Sequence, residues 1–107
     1  MYDRNKIERD KEGYLIHLAD WSETVATEIA AEIDIELGDA HWRVIEGLRQ
    51  YFLRTDISPA MRPFVKLVKT EIDEDLGSSI ALMSLFGSSP AKSAAKIAGL
   101  PKPTNCL

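Results

Sequence analysis

The chain holds one thiol, Cys106, one residue from its C-terminus. A lone cysteine makes no internal disulfide and cannot by itself assemble a metal site. What it can do is exchange: as a thiolate it attacks disulfides and persulfides, accepts sulfur and is open to oxidation. Lone cysteines are commonly small buried hydrophobes. A penultimate residue that follows Pro101-Lys102-Pro103 is hard to bury in that way. The two prolines cannot extend a helix and favour extended backbone, so residues 100–106 span about 20 Å at ~3.1 Å per residue. The expectation is a thiol on a flexible C-terminal arm, residues 100–107, that enters a partner's cleft. The terminal carboxylate beside Cys106 disfavours a second negative charge, and Lys102 opposes that effect. The thiol is therefore expected to be ordinary in free solution and activated in a partner's basic site.

Four cations are candidates to support it. Lys92 and Lys96 stand one helical turn apart on one face, Lys102 lies on the arm, and Arg62 follows Ser58-Pro59-Ala60. Such residues either cradle a persulfide and dock an acidic partner, or form a solvated surface. His17 and His41 lie far apart without metal-ligand spacing, so no metal and no cofactor are expected. Trp21 and Trp42 read as packing residues. Glu71, Asp73, Glu74 and Asp75 read as solvated surface.

These residues need elements to position them. Lys6-Ile7-Glu8 and Tyr14-Leu15-Ile16-His17-Leu18 have β character and flank a polar stretch ending in Gly13, which predicts a hairpin. Ser22 then caps a helix carrying Val25, Ile29 and Ile33 at four-residue spacing. A second helix is expected over about 39–54, with Trp42, Ile45, Leu48 and Phe52 inward. Ser58-Pro59 signals a third helix start. Pro63 is awkward there, unless regular helix begins nearer to it. Ile80 to Phe86 reads as a short helix closed by Gly87. Ser88-Ser89-Pro90 opens a last helix that Gly99 stops. The fold class expected is mostly α (α+β): a small N-terminal β-hairpin packed on an array of about five helices. Residues 1–99 form the globular domain and 100–107 the arm.

Composition narrows the function. At 107 residues the chain is one domain, and 28% charged residues against 45% hydrophobic is ordinary for a soluble protein. No apolar run approaches the ~20 residues that span a bilayer, and the N-terminus shows no apolar secretory segment. The expected compartment is the cytoplasm. A net charge of -4 argues against direct nucleic-acid binding. It also argues against a helix-turn-helix built from Ser58 to Ile72.

The tail, Ala95-Lys96-Ile97-Ala98-Gly99-Leu100-Pro101-Lys102-Pro103-Thr104-Asn105-Cys106-Leu107, resembles the C-terminus of the DsrC/TusE family. Glu12-Gly13-Tyr14-Leu15, Trp21-Ser22-Glu23, His41-Trp42, Ser58-Pro59-Ala60, Leu85-Phe86 and Pro90-Ala91-Lys92 match as well. The resemblance implies a small β element on a helical array, and persulfide sulfur carried on Cys106. Family members of DsrC type carry a second cysteine eleven residues earlier, where this chain has Ala95. The resemblance is thus to the single-cysteine, TusE-like branch, which serves thiolation of the tRNA wobble uridine. It implies a TusBCD-like or DsrEFH-like sulfur donor complex. The implied acceptor is a tRNA-thiolating enzyme or a sulfite-reductase-type protein. The alternative is a DsrC-like trafficking partner of dissimilatory sulfite reductase or a sulfur-oxidation complex.

Overall fold

The computed structural model describes residues 7–104. Five α-helices carry the fold: α1 (Glu23–Glu32), α2 (Asp39–Thr55), α3 (Met61–Leu67), α4 (Ser79–Phe86) and α5 (Pro90–Ile97). α3 runs on into a wider π-helical turn, Val68–Ile72, and a 3-10 turn, Glu74–Leu76, leads towards α4.

α5 is the hub, with α1, α2, α3 and α4 all packed against it. Its sequence explains why. Ala91, Ala94, Ala95 and Ala98 are buried, and such small side chains let several helices approach one backbone closely. The larger core residues come from the surrounding elements: Ile29 from α1, Ile45 and Leu48 from α2, Phe64 from α3, Leu82 and Phe86 from α4.

The helix starts follow local chemistry. The Ser22 hydroxyl accepts from the Val25 N–H at 3.2 Å, capping α1 as its sequence signals. Gly38, at the start of α2, has no side chain to offer. Its own N–H donates instead to Nδ1 of His41 at 3.1 Å. The other ring nitrogen of His41 then carries the proton and donates to the Leu85 carbonyl at 2.8 Å, tying α2 to α4. His41 is structural, also meeting Phe86 edge to face.

Two expectations about local structure are corrected. α3 begins at Met61 and not at Ser58-Pro59, which is the alternative that Pro63 leaves open, and among the described residues the Ser58 hydroxyl is buried without a hydrogen-bond partner. Pro63 thereby falls in the first turn, where an N–H has no intrahelical acceptor to lose. The expected hairpin is, among the described residues, one antiparallel bridge between Arg9 and Leu15. Lys6, in its first segment, lies outside those residues. Tyr14 and Leu15 are adjacent and both buried, so they do not alternate in and out as a half-exposed strand does. The Asp10 carboxylate accepts from the N–H groups of Glu12 and Tyr14 and folds 9–15 into a tight loop. Leu18–Asp20 is a 3-10 turn.

The resting place of the tail, which the sequence leaves open, is described as far as Thr104. Leu100 is 2% exposed and Pro103 is buried, while Pro101 and Lys102 between them are exposed. The segment from Leu100 to Pro103 is thus seated on the body.

Candidate functional site

The site is built outward from the end of α5, because that is where the tail begins. The last carbonyls of a helix have no partners within it and must find them elsewhere. Here five consecutive carbonyls are accounted for. Ala94 accepts from Ala98, Lys96 from Gly99 and Ala95 from Leu100, at 2.9 to 3.1 Å. The last two are the paired bonds of a Schellman turn, which requires left-handed backbone at its closing residue. Gly99 supplies it with φ 75. The Ile97 carbonyl accepts from the Trp21 indole N–H at 2.8 Å, and the Ala98 carbonyl from an Arg49 N–H at 2.7 Å.

Trp21 and Arg49 act as one unit. The guanidinium carbon lies 3.8 Å from the centroid of the indole ring, a stacked cation–π arrangement. Burial pushes the Arg49 guanidinium below its ordinary pKa, from a value so high that it stays charged at neutral pH. A cation at a helix C-terminus is favoured by the macrodipole. A Cβ on Gly99 would overlap the indole, so this position needs glycine for space as well as for φ.

From Gly99 the chain passes through buried Leu100 and reaches the loop 9–14. The Lys102 ammonium pairs with the Glu12 carboxylate at 2.8 and 3.1 Å. The same loop holds α1 and α5. Arg9 forks onto Glu32 at 2.8 and 2.7 Å and also donates to the Gly13 carbonyl. Arg9's hydrogen bond holds the Glu32 carboxyl below the usual carboxylate range, and the same bond raises the arginine. The Tyr14 hydroxyl donates to the Lys92 carbonyl at 3.3 Å, and the Lys96 ammonium sits 5.2 Å from the Tyr14 ring centroid.

The expected site residues therefore separate. Lys96 and Lys102 face the loop 9–14 and are engaged within the molecule. Lys92 lines a hollow of about 310 Å³ with Met61, Met83 and Pro90, next to the start of α5. Arg62 is exposed on the first turn of α3 and is not part of the loop–tail cluster. Cys106 lies outside the described residues, as do Asn105 and Leu107. Among the described residues no three His, Cys, Asp or Glu side chains group as metal ligands, and no helix is long and apolar enough to cross a membrane.

Glu12 and Arg49 were not expected at the site. Arg49 did leave a trace in the sequence: it stands four residues after Ile45 and beside Leu48, on the edge of the apolar stripe of α2. Glu12 left none of its own beyond its place in a family-like piece.

This helical array has counterparts among known proteins. A family model described as "DsrC like protein" matches residues 1–107, and the chain belongs to this family. A protein named Sulfurtransferase TusE, from Sodalis glossinidius (strain morsitans), is 47% identical over 106 residues, covering 99% of this chain and 98% of that protein. The solution structure of Allochromatium vinosum DsrC is similar with a TM-score of 0.84 and 43% identity, covering 92% of this chain and 88% of that one. The oxidized gamma-subunit of the dissimilatory sulfite reductase (DsrC) from Archaeoglobus fulgidus is similar with a TM-score of 0.79 and 38% identity. That match covers 94% of this chain and 92% of that one.

Proposed function

We propose that this protein is a sulfur-relay carrier that holds persulfide sulfur on Cys106 and serves thiolation of the tRNA wobble uridine. The observation that carries the reading is the single penultimate cysteine in a chain matched along nearly its whole length to a sulfurtransferase. The chemistry is two thiol exchanges. The Cys106 thiolate attacks the outer sulfur of a donor persulfide; a new S–S bond forms at Cys106, the donor's S–S bond breaks, and the donor sulfur leaves as a thiolate. An acceptor thiolate then takes the outer sulfur and Cys106 is released as a thiolate. No net oxidation occurs and no resident cofactor is required. The donor is a TusBCD-like or DsrEFH-like complex and the acceptor a tRNA-thiolating enzyme, both in the cytoplasm.

In this reading Lys92 and Arg62 meet such partners. Lys96 and Lys102 act inward, on the loop beneath the tail.

A second reading is a trafficking partner of a sulfite-reductase-type protein, favoured by the likeness to a gamma-subunit of that enzyme. Ala95 weighs against a two-thiol version of it. Ala95 is 1% exposed in the core of α5, and the chain has no second thiol.

Intact-mass spectrometry after incubation with glutathione persulfide tests the carrier reading. Wild type is expected to gain one sulfur atom, reversibly with reductant, and Cys106→Ser to gain none while remaining folded. No gain on wild type with a range of persulfide donors sinks the proposal.

A further inference from the structure

We propose that Arg49 and Trp21 are positioning residues for sulfur transfer: they aim the tail by locking the turn from which it leaves α5. The proposal takes its purpose from the relay reading, but its geometry stands apart from that reading.

Two separate stretches of chain converge on two peptide units of a third. Trp21 precedes α1, Arg49 lies in the second half of α2, and both donate to the carbonyls immediately before Gly99. These bonds satisfy carbonyls left free at the helix end, and they fall on the last residues before the chain changes direction. A rotation about Gly99 sweeps every later residue, and Cys106 is seven positions further on. Directional bonds at this point restrict such rotation in a way that apolar packing does not. The donors are themselves restrained. The guanidinium is stacked on the indole, and the indole fills the space a Cβ at position 99 would take. Movement of either therefore loosens the other, and with it the turn. The seats of Leu100 and Pro103, and the meeting of Lys102 with Glu12, all lie downstream of this lock.

The role differs from catalysis. Neither side chain has to touch the reacting sulfur. What they set is where a large partner finds the thiol; a small persulfide makes no such orientational demand. Orientation errors on the order of 1 Å can cost up to ~100-fold in rate, so loosening the root is expected to slow transfer from a protein donor about tenfold.

The lone cysteine makes the test direct, because a nitroxide can be attached at Cys106 without further substitution. Paramagnetic broadening of backbone amides is mapped for wild type and for Arg49→Met. The methionine keeps an apolar stem over the indole and loses the donor to Ala98. Sulfur uptake by the unlabelled proteins is measured in parallel, from glutathione persulfide and from a persulfidated TusBCD-like complex. Wild type is expected to show broadening concentrated on one face. In Arg49→Met the broadening is expected to spread thinly, with uptake from the protein donor reduced about tenfold and uptake from glutathione persulfide unchanged. An unchanged broadening map, or equal loss with both donors in a folded variant, overturns the proposal. If Arg49→Met does not fold, Trp21→Phe decides, since it keeps a ring beneath the guanidinium and removes one donor; an unchanged map there overturns it equally. Wild type that takes sulfur from neither donor defeats the relay reading, while the broadening maps still judge whether the tail is aimed.

Discussion

At its C-terminal end α5 has a donor for each of five consecutive carbonyls, Ala94 to Ala98. At its N-terminal end the capping residue, Ser89, makes no side-chain hydrogen bond to the helix, and the first helical residue is Pro90. The start of the helix is held by the preset φ of proline and by burial of Pro90 and Ala91. Beside it lie an open hollow and the exposed side chain of Met83. Packing of this kind fixes proximity and leaves orientation loosely specified. Hydrogen bonds fix direction. One helix thus has a seated end and an aimed end, and the aimed end carries the tail.

The contrast can be broken by substitution. Gly99→Ala is expected to have the largest effect. It sets left-handed backbone on a residue with a Cβ, at ~1–2 kcal/mol. It also drives that Cβ into an indole that is hydrogen-bonded and stacked, at ~1–3 kcal/mol of overpacking. A loss near 4 kcal/mol in urea unfolding is expected, and a cost below about 1 kcal/mol would show that the turn is not held as described. Trp21→Phe keeps most of the packing but leaves the Ile97 carbonyl without its donor, at about 1–2 kcal/mol by the same measurement. The smallest effect is expected from Ser89→Ala, within about 0.5 kcal/mol of wild type. A working N-cap loses ~1 kcal/mol on such a change. If Ser89→Ala costs as much as Trp21→Phe, the two ends of α5 are not built differently.

Much of the aimed end could be read from sequence, because its signals are local. Gly99 after a helical run, prolines beyond it and a thiol beyond those are sequence-neighbour facts. α1 was legible for the same reason, since Ser22 and its helix stripe are adjacent. α3 was misplaced because Ser58-Pro59 carries the start signal of a helix without starting one, and Pro63 in the first turn is the truer mark. The hairpin failed because apolar, β-favouring residues at 14–16 serve equally well in a loop pinned to the core. The donors at the tail's root were invisible for a different reason: Arg49 meets its acceptor 49 positions away and Glu12 meets Lys102 ninety positions away. Local patterning carries no information about pairings at that range.

The seat of Pro103 sets a working radius. Cys106 is three positions further on, so while that seat holds, covalent geometry keeps the two α-carbons within about 11 Å of each other. Counted from a free Leu100, the span was about 20 Å at polyproline spacing. On so short a leash the thiol cannot shuttle between two berths on opposite sides of the molecule. In the relay we propose, giver and taker of the sulfur visit the same quayside in turn.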